Sequence, residues 1–325
     1  MIEGILPFAK FSGETSFASL WRVKQGLGTK KIGHTGTLDR FADGLLVVLV
    51  GPLTHLVPYF TACDKEYVAR ISFGAETDTL DPDGSVVRTG SVPDIARLSE
   101  SLRSFVGTID QIPPVYSAIH VVGQRASDIA RKGGTPVLEA RSVTITEIAL
   151  LRDDLLRTGS VDIRVACSKG TYVRSLARDI AYACGTVAHL SSLRRVRVGP
   201  FSLEDSVGYG EIGEFGAPGV TCAGTEKSSV AEGRSRLSFE PSLSAFTESL
   251  ARSIGLLPIC IRPERIREFS NGIPLDARWF EPMSPNQVLW PEGASRPVFS
   301  NGVFLGMITS RNGRLSYDFV HRVAV

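Results

Sequence analysis

Cysteine is scarce and unpatterned. Cys63, Cys167, Cys184, Cys222 and Cys260 are odd in number, scattered, and never spaced as Cys-x-x-Cys. Neither a disulfide framework nor a zinc ribbon fits that pattern. The histidines His34, His55, His120, His189 and His321 form no ligand spacing of the His-Glu-x-x-His kind, so no metal site is expected. Long apolar runs are missing too: Leu45–Val50 is the longest, far too short to span a bilayer. The first residues, Met1-Ile-Glu-Gly-Ile-Leu-Pro-Phe, have no basic stretch and no extended apolar core. No signal peptide is therefore expected, and the expected compartment is the reducing cytoplasm. A dominant charge is also absent, with 36 basic residues against 34 acidic ones. A net charge of +2 exerts no bulk pull on nucleic acid, so any such footprint must be local.

What is present is an ordinary globular composition. The chain has 325 residues, 43% hydrophobic and 22% charged, enough for one large core and a smaller module. Thr15 or Ser16 can cap a helix that carries Phe17, Leu20 and Trp21 on one face and ends near Gly26–Gly28. Leu45–Val50 reads as a strand buried on both sides. Tyr67–Phe73 alternates, with Tyr67, Ala69, Ile71 and Phe73 on one face. Pro93-Asp94 opens a helix with Ile95, Leu98, Leu102 and Phe105 at helical spacing, closed by Gly107. Val143 and Ile145, and then Val161 to Cys167, read as further strands, and Ser175–Ala183 as a helix stopped at Gly185. Strands outnumber helices and the connections are irregular, which predicts an α+β fold with a mixed, largely antiparallel sheet flanked by helices. From Gly208 to Gly233 the chain is rich in Gly, Glu, Ser and Thr and poor in bulky apolar residues, as expected of a mobile insertion. Core character returns at Leu256–Ile261, and short strands follow, so a small C-terminal β module is expected from about residue 255.

Three stretches could carry chemistry. Lys30-Lys-Ile-Gly-His-Thr-Gly-Thr-Leu-Asp39 presents a His, two Thr and an Asp between glycines that permit tight turns. It lacks the Walker order, and by pattern alone it reads first as a polar turn in which Asp39 caps the next element. Ser168-Lys-Gly-Thr-Tyr-Val-Arg-Ser-Leu-Ala-Arg-Asp179 sits at a strand-to-helix junction. There Lys169, Arg174 and Arg178 add positive charge to a helix N-terminus, although an Arg paired with a structural carboxylate explains the motif equally well. Arg194-Arg-Val-Arg197, with Lys30, Lys31, Arg125, Arg131, Lys132 and Arg141, could form a phosphate-contacting face or plain solvated surface.

In combination these stretches are more specific. Lys10-x-x-Gly13-x-Thr15-Ser16, Gly33-His-Thr-Gly-Thr-Leu-Asp39 and Lys65-Glu-Tyr67 occur in order. They are followed by Gly74-x-x-Thr77-Asp-Thr-Leu-Asp81, Pro113-Pro-x-x-Ser117-Ala, Lys169-Gly-Thr-Tyr-Val-Arg174 and Leu193-Arg-Arg195. Over roughly residues 1–205 the series resembles the bacterial TruB family of tRNA pseudouridine-55 synthases. The resemblance implies a pseudouridine synthase fold over 1–254, with a thumb-like insertion about 115–145 and the Gly-rich insertion about 208–240. It further implies a PUA-like RNA-binding module over 255–325. Asp39 matches the family's catalytic aspartate, Arg174 the arginine that pairs with it, and Tyr67 the tyrosine that stacks on the base and is implicated as a proton acceptor. His34 matches the histidine that fills the space left by the extruded nucleotide. Tyr172 and Leu193 match residues lining the uridine pocket, and Lys10 matches a further substrate-side lysine. The chain departs from the family at Phe11 and Arg40, where proline is usual, at His55, where lysine is common, and at Ser127, where tyrosine is common.

The chemistry implied by the resemblance makes consistent demands. Uridine-to-pseudouridine conversion breaks a C–N glycosidic bond and rejoins the base through carbon without net redox change, so no cofactor is expected. Positive character on the sugar calls for a carboxylate, as in glycosidases. A stacked nucleotide must be extruded and its place filled, and an aromatic platform holds the base. The expected partner is the T-stem-loop of tRNA, with no membrane, no obligatory protein partner and a monomeric enzyme. The alternative is a tRNA-binding or folding chaperone in which catalysis is secondary.

Overall fold

The computed structural model describes residues 2–121, 123–216, 239, 242–281 and 290–321. Strand β1 (Gly4–Lys10) leads into helix α1 (Ser16–Leu27), then β2 (Ile32–His34) and β3 (Asp43–Val50). A short helix α2 (Val57–Thr61) precedes β4 (Lys65–Phe73). The small hairpin β5 (Ala75–Thr77) and β6 (Val86–Thr89) stands apart, before α3 (Ile95–Ser104) and β7 (Gly107–Gln111). Between residues 115 and 145 lie a second hairpin, β8 (His120–Val121) and β9 (Gln124–Arg125), and helix α4 (Ala126–Arg131). The long strand β10 (Arg141–Asp154), helix α5 (Leu155–Thr158), β11 (Ser160–Cys167), α6 (Val173–Ala183), β12 (Ala188–Val198) and β13 (Phe201–Ser202) complete the main unit. Helix α7 (Glu248–Ser253), β14 (Ile259–Cys260), α8 (Ile266–Ser270), β15 (Ser295–Ser300), β16 (Val303–Arg311) and β17 (Arg314–Val320) follow.

The main sheet runs β1-β3-β12-β4-β11-β10-β7, with β2 and β13 at its margins. Every pairing is antiparallel except that of β3 with β12, so the sheet is mixed and largely antiparallel, as the alternation of short strands predicts. The β3–β12 contact sets the centre of the molecule. Gly44 of β3 lies opposite Arg195 of β12 at φ 111°, and a Cβ there would sit 2.4 Å from the Arg195 carbonyl oxygen. Only glycine lets the two backbones approach so closely.

The apolar run of β3 is buried on both faces, as expected. Leu46, Val48 and Val50 face one core, with Leu20, Val23 and Leu27 of α1 and Leu176 and Ile180 of α6. Leu45, Val47 and Leu49 face a second core completed by Phe246 and by Phe299, Phe304 and Met307 of the C-terminal sheet. That sheet, β14-β15-β16-β17, has its own small core around Phe269 and Trp279. Each such buried side chain contributes about 1.5–3 kcal/mol of transfer free energy, which is why the uninterrupted β3 run organises two layers at once.

Several expectations change. Helix α1 is capped by Thr15, whose hydroxyl accepts from the Ala18 N–H at 3.1 Å, and Gly28 closes it in the left-handed region. Its apolar residues do not share a buried face: Leu20 is buried, but Phe17 is 74% and Trp21 58% exposed. The buried face is Ser16, Ser19, Leu20, Val23 and Leu27, with the Ser16 hydroxyl bonded to Leu38 of the Asp39 turn and that of Ser19 to Glu14. Gly107 does not close α3; Phe105 does, and Gly107 opens β7. The Gly-rich stretch begins pinned rather than loose. Gly213 and Gly216 carbonyls accept from Arg194 at 2.8 Å and Arg70 at 3.0 Å, while residues 217–238 and 240 lie outside the described residues.

Candidate active site

Asp39 lies in the turn between β2 and β3, and that turn is fastened almost carbonyl by carbonyl. Arg195 Nη2 donates to the Gly36 carbonyl at 3.0 Å. Ser16 Oγ donates to the Leu38 carbonyl at 3.1 Å and accepts from the Leu38 N–H at 3.0 Å. The Gly13 N–H reaches the Arg40 carbonyl at 2.8 Å, and Ser12 Oγ reaches that of Phe41 at 2.8 Å. Lys10 Nζ donates to the Phe11 carbonyl at 3.1 Å and to the Ala42 carbonyl at 2.5 Å. These bonds hold the carboxylate on a rigid support, although the buried Thr35 hydroxyl in the same turn finds no partner among the described residues.

The carboxylate meets Arg174, the second residue of α6. Arg174 Nη2 donates to Asp39 Oδ1 at 3.0 Å, and its Nε lies 2.9 Å from Oδ2. The same buried guanidinium donates to Asp81 Oδ2 at 3.1 Å and to the carbonyls of Thr79 at 2.8 Å and Tyr116 at 3.0 Å. Asp81 is sealed in, and burial pushes its carboxyl above the usual range, against the Thr79 hydroxyl and the Arg174 charge. Asp39 differs: its side chain is 38% exposed, so one cation serves an outer and an inner carboxylate. An arginine spread over four acceptors has no rotational freedom left, and it fixes the direction of Asp39.

Tyr67 stands on β4 opposite Arg195 of β12. Burial pushes its phenol above the ordinary value; the Arg195 charge opposes that shift and the Asp39 charge adds to it. Arg195 is itself buried, with its Nε on the Leu45 carbonyl at 2.8 Å, and makes no ion pair among the described residues. It ties the Asp39 turn, the start of β3 and the tyrosine together. His34 Nε2 lies 3.3 Å from Thr37 Oγ1, and burial, with Arg195 second, holds its pKa below the ordinary value, so the ring is neutral at pH 7. A cavity of about 330 Å³ opens beside Asp39, walled by Phe17 and Leu20 of α1 and by His34, Thr37, Asp39 and Arg40.

Tyr172 caps the start of α6, where Gln111 of β7 clamps its backbone from both sides. The Tyr172 N–H reaches Gln111 Oε1 at 2.8 Å, and Gln111 Nε2 reaches the Tyr172 carbonyl at 3.1 Å. Burial raises the Tyr172 phenol as well. Leu193 is buried on β12 opposite Ala69 of β4, in the same core as Tyr67. Lys10 is placed differently from a substrate contact: it is fully buried beneath the turn, its ammonium spent on carbonyls and its pKa lowered to about 8 by desolvation.

The arginine cluster of β12 is no phosphate face. Arg194 binds Asp43 bidentately at 2.7 and 2.8 Å, Arg195 is buried, and Arg197 pairs with Glu66 at 3.0 Å. Strand alternation and nearby carboxylates consume the charges that the sequence presents as a run. Sequence reasoning met Ser16 as a helix cap and Arg195 in a basic cluster, not as supports of the Asp39 turn, and Gln111 leaves no local signal.

Over 98% of its length the chain shares the fold of 84% of the corresponding chain in the crystal structure of a Cbf5-Nop10-Gar1 complex, at a TM-score of 0.67 and 21% identity. Residues 24–173 match the TruB family pseudouridylate synthase N-terminal domain, and residues 174–215 the tRNA pseudouridylate synthase B C-terminal domain. The chain belongs to the TruB family. It is 40% identical to the tRNA pseudouridine synthase B of Treponema pallidum strain Nichols, over 98% of both chains. To that of Treponema denticola it is 37% identical over 97% of both.

Proposed function

We propose that this chain converts uridine to pseudouridine at position 55 in the T-loop of tRNA, with Asp39, Arg174 and Tyr67 as its catalytic group. In this reaction the C1′–N1 bond breaks, a C1′–C5 bond forms, and the C5 proton leaves as N1 gains one. Asp39, held in a rigid turn and half open to the cleft, attacks or stabilises the sugar carbon or acts on the base. Arg174 aims it. Tyr67 stacks on the base; burial and the Asp39 charge keep its phenol protonated, and the Arg195 charge favours the phenolate that a proton acceptor requires. A neutral His34 fills the space of the extruded nucleotide, and Tyr172 and Leu193 bound the uridine pocket. Lys10 acts beneath the turn, as its support.

We further read the four-stranded C-terminal sheet as a PUA-like RNA-binding module, and the enzyme as a cytoplasmic monomer that needs no protein partner. Among the described residues no helix is long and apolar enough to cross a membrane. The single observation that carries the reading is the Asp39–Arg174 pair, at 3.0 Å beside an open cavity. The test incubates the purified chain alone with tRNA transcripts and maps pseudouridine. Wild type forms it at one T-loop position, and Asp39→Asn binds tRNA but forms none. Turnover by Asp39→Asn removes the carboxylate from the reaction, and RNA remodelling unaffected by this change would favour the chaperone alternative.

A further inference from the structure

We propose that Phe17 and Trp21, one turn apart on the outer face of α1, form a stacking platform for unpaired nucleobases of the substrate RNA beside the extruded uridine. The inference rests on the RNA-modifying reading and adds a binding determinant to it.

Two large rings are left in water, Phe17 at 74% and Trp21 at 58% exposure, on a helix that buries Leu20, Val23 and Leu27. Residues four apart on a helix are neighbours, so the two rings stand on the same exposed stretch of the helix surface. That surface is continuous with the site: Phe17 walls the same cavity as Asp39 and His34. It is also fixed relative to Asp39, because the next residue after Thr15, Ser16, makes both hydrogen bonds to Leu38, immediately before the carboxylate.

The surroundings select the occupant. Lys24 Nζ lies 5.3 Å from the Phe17 ring centroid. Arg40 shares the cavity wall with Phe17. Single-stranded nucleic acid suits rings with cations beside them, because bases stack on the rings while the cations meet the phosphates. Extruding one nucleotide from a loop also unstacks its neighbours, and those newly bare faces need a surface.

The experiment measures binding of full-length protein in the Asp39→Asn background, so that turnover does not intrude. The probes are a T-arm stem-loop and a blunt duplex of the same stem without the loop. Phe17→Ala and Trp21→Ala should each weaken stem-loop binding roughly 5- to 50-fold, the range that base stacking supports. Duplex binding should not change, and Phe17→Tyr and Trp21→Phe should restore affinity. In the active enzyme the loss should fall on KM, with kcat at saturating RNA retained. Stem-loop binding should quench Trp21 fluorescence, read as the quench lost in Trp21→Phe. Unchanged stem-loop affinity, an equal loss on the duplex, or a dimer of the free protein that Trp21→Ala dissolves would each overturn the platform. Absence of pseudouridine formation by wild type would instead overturn the reading beneath it.

Discussion

Lys10 shows how much a single side chain is asked to do. Its ammonium is fully buried, satisfied only by carbonyls, and its pKa falls from the ordinary 10.5 to about 8 because desolvation outweighs Glu14, Asp43 and Asp39. A lowered lysine pKa means that between pH 8 and 10.5 the unfolded chain holds a proton that the folded chain has released. Stability from this group therefore rises with pH across that window, at up to about 1.4 kcal/mol per pH unit. Lys10→Met removes a penalised charge but orphans the carbonyls of Phe11 and Ala42, each worth about 1–3 kcal/mol. The two effects oppose at pH 7 and no longer oppose at pH 9.5. Urea unfolding should then show wild type pulling ahead of Lys10→Met as pH rises; a gap that stays constant from pH 7 to 9.5 would mean the buried ammonium carries no penalty.

At the scale of elements, α1 and the Asp39 turn are one mechanical unit joined through Ser16. Ser16→Ala leaves the Leu38 N–H and carbonyl without their partner, a cost of about 1–3 kcal/mol on a buried pair. Because Leu38 adjoins Asp39, single-turnover pseudouridine formation should fall at least about tenfold, the equivalent of ~1.4 kcal/mol, while tRNA affinity is kept. Full activity in Ser16→Ala would sever helix from turn. The β3–β12 junction makes a second case: Gly44→Ala drives a methyl into the Arg195 backbone and should abolish soluble, folded protein. These contacts mark where reading residues alone stops. Elements with their own periodicity, such as β3, β4 and α6, were legible, as were the motifs that carry Asp39, Tyr67 and Arg174. The burial of α1 was not, because the face it turns inward includes Ser16 and Ser19, and Ser16 finds its partner in Leu38, far along the chain. Nor was the fate of Arg194 and Arg197, since Asp43 and Glu66 reach them only across strands.

For the whole molecule, the near-zero net charge means that RNA is held by a local set of cations. Lys30, Lys31, Arg125, Lys132, Arg141 and Lys169 are exposed and make no ion pair among the described residues. Lys30 and Lys31 lie where β2 opens beside the Val50–Gly51 end of β3, Arg125 and Lys132 lie in the 115–145 insertion, Arg141 opens β10, and Lys169 precedes α6. Each one that meets a phosphate releases a counterion, so log Kd against log salt should change by about 1 for each such cation removed to alanine. Arg194 offers the internal control: its guanidinium is committed to Asp43, so Arg194→Ala should lower the thermal midpoint and leave the salt slope alone. A slope that the six exposed cations do not alter, or that Arg194→Ala alters as strongly, would move the RNA to another face of the protein. The C-terminal sheet would be the next surface to test, because Phe299, Phe304 and Met307 dock it on the back of β3 and fix its position relative to the site.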